Sequence, residues 1–116
     1  SVPKKPGKRR GEMNATERRF RDEHLAALMN RHSMTFVAYE PVTFRLPGGV
    51  LYTPDFLVRY ENGDLLAFEV KGSWKARNAR DSKTRLRVAA GAFPFITFYS
   101  ATPKRGGGWD IIRIGG

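Results

Sequence analysis

The chain of 116 residues is long enough for one compact domain with a single core, and 41% hydrophobic residues is too many for a disordered chain. Its 21 Lys and Arg outnumber 11 Asp and Glu, and the formal charge of +10 favours a polyanionic partner, most commonly nucleic acid; a basic surface that only aids solubility is the alternative. The absence of cysteine excludes disulfides, zinc–thiolate sites and thiol nucleophiles, and no apolar run reaches membrane-spanning length, so we expect a cytoplasmic protein without a membrane partner.

The N-terminal segment, residues 1–13, is rich in Pro, Gly and basic residues. We predict either a flexible arm suited to lie along phosphates or a tail with no role. A single domain is expected over residues 14–116, and its first helix is predicted from Ala15 to Asn30 because apolar residues recur there at helical spacing. The predicted stripe consists of Phe20, Ala27 and Leu28, bordered by Glu17 and His24.

Strand-forming segments and one further helix follow. An extended segment at 34–46 is interrupted by Pro41, and a turn at 47–49 leads into two strands joined by the loop Glu61–Gly63. The later elements are strands at 50–60 and 64–72, a helix from Asn78 to Ala90, and strands at 93–100 and 109–115. This order predicts an α/β or α+β domain with a mixed sheet flanked by helices.

The register of the central hairpin decides whether its acidic residues meet. A two-residue Asn-Gly turn would set Phe56 against Glu69, whereas a three-residue loop with Gly63 in the left-handed conformation sets Phe56 against Phe68. We favour the second register, because a one-residue slip moves an entire apolar set to the wrong face. That register puts Asp55 beside Glu69 and Thr53 beside Lys71, with Pro54 marking a bend just before Asp55.

Two carboxylates that face each other destabilise a sheet unless a cation compensates them. Their oxygens, a backbone carbonyl and waters suit Mg²⁺, and such an ion polarises a phosphodiester and lowers the pKa of a bound water. Lys71 lies on the same face as Glu69 and is suited to orient that water or to stabilise charge in the transition state. The combination predicts metal-dependent phosphodiester hydrolysis.

Pro54-Asp55 followed by Glu69-Val70-Lys71 on the next strand resembles the PD-(D/E)xK nuclease superfamily, and the likeness covers most of the chain from Asn14 onward. The resemblance implies a restriction-endonuclease-like αβββαβ core. By size and by "DFLV…FEVKG" before a basic helix, the chain most resembles small phage-type endonucleases and Holliday junction resolvases, which function in DNA recombination.

The resemblance also implies roles for single residues. Asp55 and Glu69 carry over as metal-binding acids, Lys71 as the catalytic lysine and Val70 as a carbonyl ligand. A further acid is implied on the first helix, where Glu17 is the best match and Glu23 the weaker one. Glu17 also has capping-box spacing from Asn14, so a metal ligand and a helix cap are both open for it.

Basic residues of the second helix form a stripe beyond the acids. The resemblance implies that one of them reaches the phosphate, and we select Lys83; a solvated helix face is the alternative. Trp74 is suited to stack on a base or to pack over the site entrance. His24 and His32 are expected to be packing or surface residues. The predicted DNA-contacting residues are Trp74, Arg77, Arg80, Lys83 and Arg87.

The expected function is a Mg²⁺-dependent DNA endonuclease, with Mn²⁺ as a substitute. By resemblance it acts as a homodimer on branched DNA, in the cytoplasm of a bacterial host if phage-encoded. The alternatives are a nicking or single-strand nuclease of the same fold, and a basic nucleic-acid-binding module without activity.

Overall fold

The computed structural model describes residues 11–31, 33–73 and 79–115, and it shows an α+β fold with a mixed five-stranded sheet. The elements are α1 (Ala15–Phe20), a π-helical turn (Arg21–Leu25), α2 (Ala26–Arg31), β1 (Met34–Tyr39), β2 (Phe44–Arg45), β3 (Leu51–Tyr52), β4 (Phe56–Tyr60), β5 (Leu65–Val70), α3 (Ala79–Ala92), β6 (Ile96–Pro103) and β7 (Trp109–Ile114). The predicted mixed sheet flanked by helices is confirmed.

The strand order in the main sheet is β1-β4-β5-β6-β7. The pairs β1–β4, β4–β5 and β6–β7 are antiparallel, and β5–β6 is parallel because α3 carries the chain back over the sheet. Strands β2 and β3 form a separate two-stranded sheet. This small hairpin was not predicted as a unit.

The β4–β5 hairpin has the predicted register. Phe56 pairs with Phe68 and Val58 with Leu66. The Tyr60 amide donates to the Asp64 carbonyl over 2.9 Å, which closes the three-residue loop. Gly63 has φ +96°, the left-handed conformation that this loop requires. The apolar pairs therefore stay together on one face.

The predicted strand at 50–60 is broken in two. β3 ends at Tyr52 and pairs with β2, whereas β4 begins at Phe56 and pairs with β5. The break falls at Pro54, which supplies no amide donor to a ladder. The expected pairing of Thr53 with Lys71 does not form; the Thr53 hydroxyl is hydrogen-bonded to the Thr43 hydroxyl at 2.6 Å.

The first helix is not regular. The Ala26 amide donates to the Arg21 carbonyl five residues earlier, which is the bond of a π turn. This wider turn brings Leu25 to the buried face, and only 1% of its surface is exposed. Ala27, expected in the apolar stripe, is only partly buried. Leu28 packs against the same cluster as Phe20, as predicted, whereas Leu25 was missed because the predicted stripe assumed an unbroken α-helical spacing.

Two apolar clusters replace the single expected core, since both faces of the sheet are covered. The helix-1 cluster joins the first helical segment to β4 and β5; its buried members are Phe20, Leu25, Phe56, Val58, Phe68, Val70 and Ala101. The helix-3 cluster joins α3 and the β2–β3 hairpin to the opposite face; its buried members are Leu46, Tyr52, Ala67, Leu86, Ala89, Ile96 and Phe98. Burying one Phe or Leu contributes roughly 1.5–3 kcal/mol, so both faces hold the sheet. No helix in the described ranges is long and apolar enough to cross a membrane.

Candidate active site

Asp55 lies in the bend between the two sheets, directly before β4. Because Phe56 pairs with Phe68, the next step along the ladder brings Asp55 beside Glu69. Both acids are buried, with 3% and 6% of their surface exposed. The Val70 amide donates to Oδ2 of Asp55 over 2.8 Å. A side-chain carboxylate thus occupies the place where a strand carbonyl would otherwise receive this amide.

Glu69, near the end of β5, has a partner at each carboxylate oxygen. The Tyr52 hydroxyl donates to Oε1 over 3.0 Å, and the Lys71 ammonium lies 3.6 Å from Oε2. Burial, and then the negative charges of Glu69 and Asp55, raise the pKa of the Tyr52 hydroxyl well above its ordinary value. Both carboxylates therefore act on one buried hydroxyl. The structure brings Asp55, Glu69 and Lys71 together at one end of the hairpin, as expected.

Glu17 is fully buried and forms the capping box that its spacing predicted. The Asn14 amide donates to Oε1 of Glu17 over 2.8 Å, and the Glu17 amide donates to the Asn14 side chain over 2.8 Å. The Tyr39 hydroxyl also donates to Oε1 of Glu17, at 3.0 Å. The cap is confirmed; the role of Glu17 as a metal ligand stays a prediction.

Tyr39 connects Glu17 to the acids of the hairpin. Burial raises the pKa of its hydroxyl, and so do the negative charge of Glu17, the hydrogen bond to Glu17, and the charges of Glu40 and Asp55. Tyr39 therefore lies within the electrostatic reach of three carboxylates. Sequence reasoning missed Tyr39 and Tyr52, although each lies on a strand within three residues of a proline.

Glu40 also borders the site and was not predicted. Its amide donates to the Asp55 carbonyl over 2.8 Å, which fixes the backbone of the bend. Among the described residues other than glycine, Glu40 has the one positive φ, at +48°. A residue before proline avoids helical backbone, so Glu40 before Pro41 holds an unfavourable conformation. The Glu–Pro pair was the available signal, but the side-chain pattern did not indicate this conformation.

The predicted DNA-contacting residues are only partly described. Trp74 and Arg77 lie outside the described residues. Arg80 falls in the first turn of α3, Lys83 is partly buried, and Arg87 is exposed.

Arg85 of α3 acts on the site and was not predicted. Its positive charge opposes the rise in the pKa of the Tyr52 hydroxyl. Arg85 follows buried Ser82 by three residues and precedes buried Leu86. Residues three apart lie on the same side of a helix, so this spacing puts Arg85 at the border of the buried face of α3. Sequence reasoning overlooked that signal.

Other candidate residues have packing roles. His24 stacks on Phe20 with a centroid distance of 5.1 Å, and burial and the charge of Arg31 lower its pKa. Trp109 donates to Glu23 over 3.1 Å and packs edge-on against Phe20 at 5.1 Å.

Glu23 and Arg59 have partners other than the two acids of the hairpin. Glu23 also pairs with Arg19 at 3.0 Å on the exposed helix surface, so it is engaged away from Asp55. Arg59 donates to the Thr35 hydroxyl over 3.1 Å, on the edge strand. His32 lies outside the described residues.

A pocket and the site lie at opposite ends of the hairpin. A depression of about 380 Å³ lies at the β4–β5 loop, between Ser33 and Tyr60–Asn62, at the far end of the hairpin from Asp55. Within 11–31, 33–73 and 79–115, no three His, Asp or Glu side chains are grouped so as to hold a metal ion. The hairpin acids form a pair, not a triad.

Comparison with protein-family models, with curated proteins and with solved structures found no match to this chain.

Proposed function

We propose that this protein is a Mg²⁺-dependent DNA endonuclease of the PD-(D/E)xK superfamily, acting on branched DNA in the manner of a Holliday junction resolvase. One observation carries the proposal: the hairpin register buries Asp55 and Glu69 at the same end of two neighbouring strands, with Lys71 beside them. Burying two carboxylates is costly unless charge compensates them, and a folded chain retains such a pair where it serves a purpose.

The donor chemistry fits a hard divalent cation. Asp55 and Glu69 offer carboxylate oxygens, and the Val70 carbonyl faces the same neighbouring strand as its amide, which donates to Asp55. Mg²⁺ is typically bound through one or two carboxylates and keeps several waters, so a pair of acids is sufficient and Mn²⁺ can replace the ion. When bound, Mg²⁺ supplies positive charge for the phosphodiester and lowers the pKa of a water. Glu17 is a candidate third acid, and its Oε1 accepts a hydrogen bond from the Tyr39 hydroxyl.

Lys71 supplies the charge that a hydrolysing site needs beyond the acids. Its ammonium lies 3.6 Å from Glu69, and 19% of its side chain is exposed, so it faces both the acids and solvent. In that position an ammonium donates to an attacking water or to a phosphate oxygen that gains charge. Arg85 adds a second positive charge from α3.

The element order supports the family assignment. Reading the main sheet and its helices along the chain gives helix, β1, β4, β5, α3 and β6, which agrees with the αβββαβ core that the resemblance implies. The β2–β3 hairpin and β7 are additions to it. A homodimer in the cytoplasm, cutting one strand with each subunit, completes the proposal.

A basic nucleic-acid-binding module without activity is the second candidate. The described residues hold no triad of potential metal ligands, and Asp55 and Glu69 already accept hydrogen bonds from Val70 and Tyr52. The formal charge of +10 favours DNA binding under either candidate. The two differ in whether the phosphodiester is cut.

A cleavage panel separates these candidates. Labelled four-way junction, flap, nicked, duplex and single-stranded DNA are incubated with the protein and Mg²⁺, Mn²⁺ or EDTA. We expect metal-dependent cutting of the junction above all, lost in Asp55→Asn and retained in Asp64→Asn, a matched change at the exposed far end of the hairpin. Binding of every form without cutting of any would favour the inactive module.

A further inference from the structure

The β2–β3 hairpin stands apart from the main sheet and has a rigid turn. The Leu46 amide donates to the Val50 carbonyl over 2.7 Å, and the Gly49 amide donates to the Leu46 carbonyl over 2.9 Å. Gly48 and Gly49 have φ of +87° and +83°, a backbone that glycine adopts without strain. These bonds define the hairpin tip, residues Pro47–Val50, as a fixed turn.

The base of the hairpin is anchored on the sheet and on the site. The Phe44 ring packs 4.6 Å from Phe93, which follows α3, and Leu46 is buried in the helix-3 cluster. Tyr52, also buried in that cluster, donates its hydroxyl to Glu69 over 3.0 Å. The Tyr52 hydroxyl therefore links the hairpin directly to the carboxylate that we propose as a metal ligand.

The hairpin tip, by contrast, is exposed to solvent. All four of its residues are exposed, with Val50 at 48%, and a Cβ placed at Gly48 or Gly49 would meet no described atom within 4 Å. The tip carries no charge, although the protein is strongly basic. It combines a proline and an exposed valine in a stiff loop.

A basic residue lies next to this uncharged tip. Arg45 is exposed on β2, and α3, which covers the same face of the sheet as the hairpin, carries the exposed Arg87. Guanidinium groups on this face suit contacts with DNA phosphates. The arrangement complements DNA better than an apolar protein surface or a lipid.

The spacing between tip and site matches a short stretch of duplex. Tyr52 follows the tip by two to five residues. At about 3.3 Å per residue, the tip lies at most about 16 Å along the strand from Tyr52. With a rise of about 3.4 Å per base pair, this span covers roughly five base pairs.

We propose that the β2–β3 hairpin is a DNA-contacting wedge: its Pro47–Val50 tip inserts at an unstacked base step or branch point within about five base pairs of the phosphate at Asp55 and Glu69. Apolar side chains, proline included, are used in this way to separate base steps and kink DNA. The inference rests on the proposed function for the position of the scissile phosphate. It gives the site a physical basis for preferring branched DNA, where stacking is already interrupted.

The test measures binding without cutting. Asp55→Asn protein in EDTA is titrated into a four-way junction carrying 2-aminopurine near the branch, and into linear duplex of matched sequence. We expect the fluorescence to rise with the junction as the base unstacks. Adding Pro47→Ala and Val50→Ser should abolish the rise and weaken junction binding about tenfold, with duplex binding changed less than about twofold. Val50→Thr keeps the shape of valine, so we expect it to reduce the fluorescence rise and the junction affinity by less than Val50→Ser does.

Val88→Ser is the matched control, because Val88 is an exposed valine, at 39%, that belongs to α3 and not to the hairpin. It should leave both readouts unchanged. Tip variants that retain the fluorescence rise and the preference for the junction would overturn the wedge, as would Asp55→Asn protein that binds the junction with no rise. A protein that cuts no DNA but shows the tip-dependent rise would overturn the nuclease and leave the wedge supported.

Discussion

Tyr52 belongs both to the apolar core and to the candidate site. Its ring is buried in the helix-3 cluster, while its hydroxyl holds Oε1 of Glu69. Lys71 at Oε2 then completes a fixed orientation of the carboxylate. A carboxylate held at both oxygens costs less reorganisation when a ligand arrives.

Removal of the Tyr52 hydroxyl tests this role. Tyr52→Phe keeps the ring in the core but deprives Glu69 of its donor, and we expect Mg²⁺ affinity to fall about 10- to 100-fold. Calorimetric titration of Mg²⁺ measures the loss directly. Tyr60→Phe, a partly buried tyrosine at the opposite end of β4, serves as the control and should bind Mg²⁺ like the unmodified protein. Equal affinity in Tyr52→Phe would contradict the positioning role.

Glu17 is the residue whose two roles are separable by experiment. Glu17→Gln preserves an oxygen for the Asn14 amide and the Tyr39 hydroxyl but removes the charge. If the Glu17 carboxylate helps to bind the metal ion, the cleavage rate should fall at least about tenfold while the free energy of unfolding changes by no more than about 1 kcal/mol. Parallel measurement of cleavage and urea unfolding gives the answer. A parallel loss of activity and stability would assign Glu17 to the cap alone.

At the level of elements, the π turn gives the first helix a histidine that packs like an aromatic core residue. His24 stacks on Phe20 and meets Phe68 edge-on at 6.2 Å. Burial, and then the charge of Arg31, lower its pKa below the ordinary 6.5. A lowered pKa in the folded state means that the unfolded chain takes up the proton first as the pH falls.

The pH dependence of stability follows from this sign. Well above pH 6.5, His24 is neutral in both states and its protonation does not change the free energy of unfolding. As the pH falls through 6.5 toward the lowered folded pKa, the unfolded state binds the proton more strongly and the folded state loses stability. His24→Phe keeps the stack and removes the proton. We therefore expect its melting temperature to fall less between pH 7 and pH 5 than that of the unmodified protein. Identical slopes in the two thermal unfolding series would rule out His24 as the cause.

The hairpin register was predictable from sequence, whereas the bend beside it was predictable only in part. Phe56, Val58, Phe68 and their partners share one face in one register alone, and a misplaced hydrophobic set is heavily penalised. Pro54 indicated a break in the ladder. The sequence did not reveal that the residues before Pro54 pair in a second sheet, because strands of two residues are too short to show a period of two.

The missed site residues share a physical reason. Tyr52 and Tyr39 are ordinary strand formers whose hydroxyl partners are set by tertiary contacts with Glu69 and Glu17. The charge of Arg85 acts on Tyr52 across the contact between α3 and the β2–β3 hairpin, and Glu40 holds a backbone conformation that few residues favour. Local pattern reports which face a residue occupies, and long-range packing decides what it meets there.

At the scale of the whole molecule, a basic chain folds into a sheet covered on both faces, with a charged site at the end of one hairpin. The helix-1 cluster holds Glu17 beside the sheet, and the helix-3 cluster holds Tyr52 and the wedge-bearing hairpin. The two clusters thus position opposite sides of the same site. We expect the formal charge of +10 to attract the proposed DNA substrate, and we expect added salt to weaken that attraction.

The central claim, that Asp55 and Glu69 together hold a divalent cation, is tested most directly by calorimetric titration of Mg²⁺ into the unmodified protein, Asp55→Asn, Glu69→Gln and the control Asp64→Asn. We predict saturable binding to the unmodified protein and to Asp64→Asn, and a loss of affinity of at least about 10-fold in each of the other two. Unmodified protein that takes up no Mg²⁺, or Asp55→Asn protein that binds it with undiminished affinity, would contradict the account.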